Sequence, residues 1–284
     1  MVIDMHVHPF CKEAHYGDKK KIADAMSGND PIKLKSVNRM LKAIMEQYTL
    51  EDYIALMDKF NINKAVIVSL NVSSAYGFIM VSNEDIADFV KKFPDRFIGF
   101  ACIDVPAADA LEQLDYAINS LNLNGVKLVP PAQKFDISDK KYDLLWKKMV
   151  DLNIPLWTHG GHQGSFYGSI ARYGHPLLID DIALKHKELT IIIGHMGVPW
   201  MWDAWSVVMR HKNVYIDISA YPNLYNWFPW DAFITENLSH KILFASDYPL
   251  KHYSEIFNAF DKLQINDSLK HLILEKNAKK ILKI

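Results

Sequence analysis

Short apolar runs rich in β-branched residues recur along the chain, and each is followed by a segment with helical spacing of its apolar positions. Eight runs have the length of a strand: 2–8, 64–70, 96–102, 125–129, 154–159, 190–195, 214–218 and 242–247. Helical segments between them include 49–60, 82–93, 107–121, 139–152 and 177–187. Eight alternations of strand and helix predict an α/β fold, a single (β/α)8 TIM barrel.

The segment 9–48, directly after the first strand, departs from this alternation. It is polar at first and is predicted to be helical from Ser36. A segment of this length in a compact domain is usually functional or disordered, and here we predict an insertion that overhangs the barrel mouth. An open doubly wound sheet is the alternative, but we find no glycine-rich phosphate-binding loop after a strand. We therefore predict one domain, 1–284, with the insertion 9–48 inside it.

Local signals mark the helix boundaries. Thr49 and Asp52 form a plausible capping box at the start of the helix 49–60. Asparagine tolerates the left-handed backbone conformation in which many helices end. Four asparagines lie where helices are expected to stop: Asn61, Asn122, Asn124 and Asn153.

Composition and charge narrow the classes of function. The 284 residues carry a formal net charge of −1, which argues against a nucleic-acid partner because phosphate binding needs a basic excess. The two cysteines predict neither a disulfide framework nor a thiolate zinc site. No apolar run approaches a membrane span and no signal peptide is evident, so we expect a cytoplasmic protein without membrane contact.

Metal-binding side chains lie at the C-terminal ends of four predicted strands, where TIM barrels place their active sites. These strands end with His6 and His8, with His159, with His195 and with Asp247. Neutral imidazole and carboxylate are ordinary zinc ligands, and a catalytic site leaves one position open. A chain with 12 histidines contains such residues by chance, but four coinciding strand ends predict a site for a divalent metal.

Strand alternation predicts the direction in which these side chains point. On the first strand it places Asp4, His6 and His8 on the same face. On the later strands it likewise places Ile191 and Ile193 with His195, and Leu243 and Ala245 with Asp247. All of these polar groups are then expected to face the barrel axis.

Four motifs resemble those of the amidohydrolase superfamily. They are His6-Val-His8, Thr158-His159-Gly160, Gly194-His195-Met196-Gly197 and Ser246-Asp247-Tyr248-Pro249. The chain is most similar to the branch that contains aminocarboxymuconate-semialdehyde decarboxylase and related aromatic-acid decarboxylases, from Ile3 to Leu282. The resemblance implies one divalent metal bound by His6, His8, His159 and Asp247, with Asp247 and His195 as catalytic residues. Zinc is preferred, with manganese or iron as alternatives, and no organic cofactor is expected.

Four further residues are candidates for substrate binding: Lys127, His162, Arg172 and Trp200. In two-metal members of the superfamily a lysine on the fourth strand is carboxylated and bridges both ions. Members of the branch generally use one metal, so we interpret Lys127 as a cation that pairs with a carboxylate. Arg172 could clamp a carboxylate in a bidentate manner. The expected partner is a small molecule, with a carboxylic acid among the candidates, and analogy with the branch predicts a homodimer.

The same residues support two reactions. We expect a metal-dependent hydrolase that attacks a small amide, lactone or ester with metal-activated water, because hydrolysis is the superfamily default. The alternative is a non-oxidative decarboxylase of a small unsaturated or aromatic carboxylic acid. The strand-four end, residues 127–131, departs from the glycine-rich form associated with such decarboxylases. The third and remote hypothesis is a barrel without catalytic activity that serves as a binding protein.

Overall fold

The computed structural model describes residues 1–284 and contains ten β-strands. They are β1 (Ile3–Val7), β2 (Lys64–Val68), β3 (Leu70–Asn71), β4 (Ile79–Met80), β5 (Phe97–Ala101), β6 (Gly125–Leu128), β7 (Leu156–Thr158), β8 (Ile191–Ile193), β9 (Val214–Asp217) and β10 (Ile242–Leu243). Eight of them form one parallel sheet in the order β1-β2-β5-β6-β7-β8-β9-β10, and β3 pairs with β4. All eight predicted strands are present.

Fourteen α-helices surround and cap this sheet. They are α1 (Lys19–Ser27), α2 (Pro31–Glu46), α3 (Leu50–Lys59), α4 (Ser73–Tyr76), α5 (Asn83–Lys92), α6 (Ala110–Asp115), α7 (Pro130–Gln133), α8 (Asp143–Asp151), α9 (Leu177–Lys185), α10 (Met201–Arg210), α11 (Trp230–Thr235), α12 (Tyr253–Asp261), α13 (Asp267–His271) and α14 (Asn277–Leu282). No helix has the length and apolar character needed to cross a membrane.

Backbone hydrogen bonds bring the last strand back to the first. The amide of Met5 donates to Phe244 O at 3.0 Å, and the amide of Asp247 donates to His6 O at 3.0 Å. The amide of His8 donates to Tyr248 O at 2.8 Å. The predicted TIM barrel is therefore confirmed, and the contact between β1 and the chain after β10 lies where the metal-binding residues were predicted.

The helix ends mostly follow the local signals. Thr49 and Asp52 form the predicted capping box at the start of α3. Asn61, Asn122 and Asn153 adopt positive φ angles of 55°, 56° and 53°. Asn124 does not, because its amide pairs with Gly99 O at the approach to β6.

The insertion after β1 contains more helix than the sequence predicted. Helix α1 occupies the segment expected to be a polar loop, and α2 begins at Pro31 rather than at Ser36. Asp18 and Asp30 are the reason: each side chain accepts two backbone N–H groups at the start of a helix. These aspartates and Pro31 were detectable start signals that the lysine-rich composition obscured.

The predicted direction of several side chains, which assumed regular strand alternation, is wrong. Ile3, Met5 and Ile192 pack inside the barrel, whereas Ile191 and Ile193 pack against the helices. Two local deviations turn the polar residues inward instead. The pairing of β1 with β2 shifts register between Asp4 and Val7, and His195 has a positive φ of 58°.

Asp4 consequently lies on the opposite side of β1 from the predicted one. Its carboxylate accepts hydrogen bonds from Ser246 Oγ at 2.6 Å and from Tyr253 OH at 2.8 Å, outside the barrel interior. It thus ties β1 to the chain after β10 and to α12. On β10, alternation was correct, because Leu243 and Ala245 do face the interior.

Candidate metal centre and active-site cavity

A cavity of about 440 Å³ opens at the C-terminal ends of the barrel strands. Its polar floor consists of His6, His8, Lys127, His159, His195 and Asp247. The insertion forms part of its wall through Met26 of α1 and through Met40, Ala43 and Ile44 of α2. The five residues predicted to bind metal or act in catalysis therefore converge on one site, and residues of the insertion lie on its wall.

Asp247 lies at the centre of the histidine cluster. Its Oδ1 is 3.4 Å from His6 Nδ1 and 3.5 Å from His8 Nε2. The ring centroids of His159 and His195 are 4.5 Å apart. One donor atom from each of His6, His195 and Asp247 lies within 4.8 Å of the others, a spacing that can hold a metal ion.

Several buried nitrogen and oxygen atoms on this floor have no hydrogen-bond partner. They are both ring nitrogens of His6, Nδ1 of His8, Nε2 of His159 and Oδ1 of Asp247. Burying a polar atom without a partner costs free energy, and a bound cation removes that cost. The residues present therefore fit a divalent metal, and the unpaired atoms coincide with the four ligands that the family resemblance implies.

His195 differs because its Nδ1 already has a partner. Ser219 Oγ lies 2.7 Å from His195 Nδ1 and donates to Asp217 Oδ1 at 2.6 Å. Asp217 also accepts from the His195 amide at 2.9 Å and from Trp157 Nε1 at 2.5 Å. Because the serine hydroxyl gives its hydrogen to Asp217, it must accept from Nδ1–H of His195.

This polar relay was missed by the sequence analysis. Asp217 ends β9, and Ser219 follows two residues later, both fully buried. A buried Asp-x-Ser at a strand end was the available signal, since buried carboxylates require several donors. Trp157 completes the arrangement by stacking on His6, with 4.0 Å between ring centroids.

Besides the histidines, the titratable groups of the floor are Lys127 and Asp247. Burial lowers the pKa of Lys127 to about 8, and its Nζ lies 5.7 Å from the Trp157 ring centroid. Burial raises the pKa of the Asp247 carboxyl well above its ordinary value, and the nearby Lys127 charge offsets part of this rise. An amine that keeps its proton at neutral pH in this position can pair with an anionic ligand.

The remaining substrate candidates divide into two groups. His162 lines the cavity together with Lys127. Arg172 is instead in a short turn outside the lining, where its guanidinium lies 5.1 Å from the Tyr173 ring. Trp200 packs on His175, with 4.7 Å between ring centroids, and is also outside the lining. The sequence places Arg172 and Trp200 near strand ends, but it does not show that the loops carrying them point away from the cavity.

Comparisons with known proteins extend this picture. A family model described as amidohydrolase matches residues 3–284. The gamma-resorcylate decarboxylase of Rhodococcus jostii (strain RHA1) is 24% identical over 287 residues, which cover 81% of this chain and 86% of that protein.

Two solved structures share the fold over nearly the whole chain. A 2,6-dihydroxybenzoate decarboxylase in complex with 2,6-dihydroxybenzoate is 20% identical, has a TM-score of 0.72, and both chains are covered to 100%. A dihydroxybenzoic acid decarboxylase from Polaromonas sp. JS666, with bound manganese and the inhibitor 2-nitroresorcinol, is 18% identical with a TM-score of 0.73, covering 99% of this chain and 96% of that one.

These relatives overturn the expectation of a hydrolase. The similar curated proteins are decarboxylases, so the reaction placed second in the sequence analysis has the better support. The ligand residues had not separated the two, because both reactions use a metal and a proton carrier.

Proposed function

The chain is an enzyme of the amidohydrolase family, and from that premise we propose that it releases the carboxyl group of a hydroxylated aromatic acid as carbon dioxide, without oxidation. One observation carries the proposal. A floor of unpaired metal-ligand atoms and a buried lysine adjoins an apolar wall, an arrangement suited to a flat acid bound by its carboxylate. The similarity to gamma-resorcylate decarboxylases supports the same reaction.

In this proposal His6, His8, His159 and Asp247 hold one divalent metal. The bound ion would supply positive charge to the carboxylate and to the neighbouring hydroxyl oxygen of the acid. Imidazole and carboxylate ligands suit zinc, the metal preferred from the sequence, and also suit manganese, which the Polaromonas enzyme carries.

Asp247 delivers the proton that replaces the carboxylate, and water protonates its carboxyl again after each turnover. Asp247 Oδ1 faces His6 and His8, which leaves Oδ2 to carry a proton as a general acid. Transfer of that proton to the ring carbon that bears the carboxylate forms the new C–H bond. The carbon–carbon bond then breaks, its electron pair restores the aromatic ring, and carbon dioxide leaves.

Two further residues orient the acid. The ammonium of Lys127 pairs with the substrate carboxylate. His195 is held with its proton on Nδ1 by Ser219, so Nε2 is free to accept a hydrogen bond from a phenolic hydroxyl. Burial lowers the pKa of His195 well below its ordinary value, which keeps the ring neutral for this role.

Replacing Ser219 with alanine tests the orientation of His195. We expect kcat to fall about tenfold or more with little change in KM, because the partner that selects the tautomer and direction of the ring is lost. Steady-state kinetics of carbon dioxide release measure this. Ser206→Ala, on α10 outside the cavity lining, is the matched control and should retain the parent kinetics. An unchanged kcat in Ser219→Ala would show that the reaction does not depend on Ser219 to orient the His195 ring.

The proposed reaction is tested with 2,6-dihydroxybenzoate and related hydroxybenzoates. Metal-loaded protein should produce the corresponding phenol and carbon dioxide in equal amounts, without consumption of oxygen. Chromatography of the phenol and a coupled assay of carbon dioxide follow both products. Absence of phenol from all hydroxybenzoates, with metal bound and the protein folded, would refute the proposal.

A further inference from the structure

The cavity extends well beyond its polar floor into an apolar cluster formed around the insertion. We call this the insertion cluster; its buried members are Ile22, Ala23, Leu41, Ile44, Leu70, Val72, Phe78, Met80, Val129, Ala132 and Phe166. Some of these residues, and three partly buried ones packed on them, also line the cavity: Phe10, Met26, Met40, Ile44, Leu70, Met80, Val129 and Phe166. None of the eight carries a charge.

We propose that these eight residues form a subsite for an apolar substituent, so that the substrate is a hydroxybenzoate with an alkyl chain on a ring carbon remote from the carboxylate. The inference rests on the proposed function for the position of the carboxylate. It adds the chemical class of the remaining part of the substrate.

The volume of the cavity is the first argument. At about 440 Å³ it lies within the range of cavities that bury drug-sized ligands. A dihydroxybenzoate has about eleven non-hydrogen atoms and would keep its carboxylate on the polar floor. Its ring would contact only the part of the apolar wall next to the floor, and an alkyl chain would fill the rest with matching surface.

The pattern of α2 is the second argument. Met40, Ala43 and Ile44 lie at helical spacing on the face that lines the cavity, whereas Lys42 and Glu46 are exposed. A second carboxylate or a sugar would find no cation or hydrogen-bond donor on this face of α2, because the Lys251 ammonium and the Tyr48 hydroxyl line the cavity elsewhere. The wall therefore favours a hydrocarbon group.

The wall is also attached to the barrel on several sides, which supports a preformed subsite. The Tyr167 amide, in the chain after β7, donates to Ala25 O of α1 at 2.7 Å, and Tyr76 OH donates to Tyr167 O at 2.9 Å. The Tyr167 ring packs directly over Gly28, where a Cβ atom would lie 2.5 Å from it. The Lys12 amide donates to Tyr48 O at 2.8 Å at the other end of the insertion. The subsite is thus preformed between fixed elements.

Calorimetric titration with a homologous series tests the subsite. The ligands are 2,6-dihydroxybenzoate and its 4-methyl, 4-propyl and 4-pentyl derivatives, added to the metal-loaded protein at a temperature where turnover is negligible. We expect Kd to fall about fourfold for each methylene that becomes buried. Equal Kd values along the series, or weaker binding of the longer chains, would overturn the subsite.

Two matched variants locate the effect. Met40→Gln places a polar group of similar size on the wall and should reduce the gain per methylene. Met45→Gln makes the same change in the same helix, at a residue that packs on the insertion cluster without lining the cavity, and should keep the parent gain. A parent-like gain in Met40→Gln would overturn the assignment of this wall.

The assay of carbon dioxide separates this inference from the proposed function. If Kd falls with chain length but no member of the series is decarboxylated, the reaction is refuted and the apolar subsite stands. If decarboxylation proceeds but Kd is independent of chain length, the subsite is refuted and the reaction stands.

Discussion

Replacing Asp247 with asparagine is expected to reduce decarboxylation by about three orders of magnitude or more, because one change removes both the proton carrier and a carboxyl ligand of the metal. The amide is nearly isosteric and can occupy the same space between His6 and His8. Since burial raises the pKa of Asp247, its ionised form is costly in the folded chain, and the neutral amide should leave folding intact. Single-turnover release of carbon dioxide measures the loss.

Asp231→Asn is the matched control, because Asp231 lies on α11 and is exposed. It should have the parent rate. Thermal unfolding of both variants within a few degrees of the parent would show that the loss is local. A rate for Asp247→Asn within tenfold of the parent would contradict the role given to this carboxyl.

Chelation is expected to abolish activity, and the purified protein should contain about one divalent metal ion per chain. Without a cation, the four proposed ligand residues keep buried polar atoms that have no partner. The metal ion should therefore bind strongly. Plasma mass spectrometry measures the stoichiometry, and readdition of Zn²⁺ or Mn²⁺ to the chelated protein identifies the ion that restores turnover. Two ions per chain would instead indicate that Lys127 is carboxylated and bridges them.

Histidine variants distinguish the proposed ligands from their neighbours. His6→Ala and His159→Ala should lose the ion, whereas His162→Ala, also on the cavity, should retain it. His195→Ala is the decisive case, because a ring nitrogen of His195 lies within 4.8 Å of ligand atoms of His6 and Asp247 while its Nδ1 is bound to Ser219. Retention of metal with loss of turnover supports its catalytic role. Loss of metal would make His195 a ligand.

The strand pattern was predictable because each barrel strand is a short run of apolar residues with its own boundary signals. All eight strands lie within the predicted ranges, and the capping box of α3 is present. The convergence of His6, His8, His159, His195 and Asp247 followed from topology, since the C-terminal ends of parallel barrel strands meet at one mouth. The homodimer stays a prediction.

The reaction was less predictable than the site. A histidine and carboxylate cluster specifies a metal and a proton carrier, and both hydrolysis and decarboxylation need these. The distinction lies in the shape and polarity of the substrate cavity, much of which is formed by α1, α2 and the chain after β7. The relevant side chains, such as Met26, Met40 and Phe166, are ordinary core residues in the sequence.

The sequence by itself determined the barrel and the set of chemically active residues at its mouth, because hydrophobic periodicity and strand order act locally and in sequence. Only the tertiary structure decided the direction of several side chains. The register shift in β1 turns His6 and His8 inward and leaves Asp4 outside, and the positive φ of His195 turns its ring over the floor. These deviations are maintained by contacts distant in sequence, such as Asp4 with Ser246 and Asp217 with Trp157, which no local pattern records.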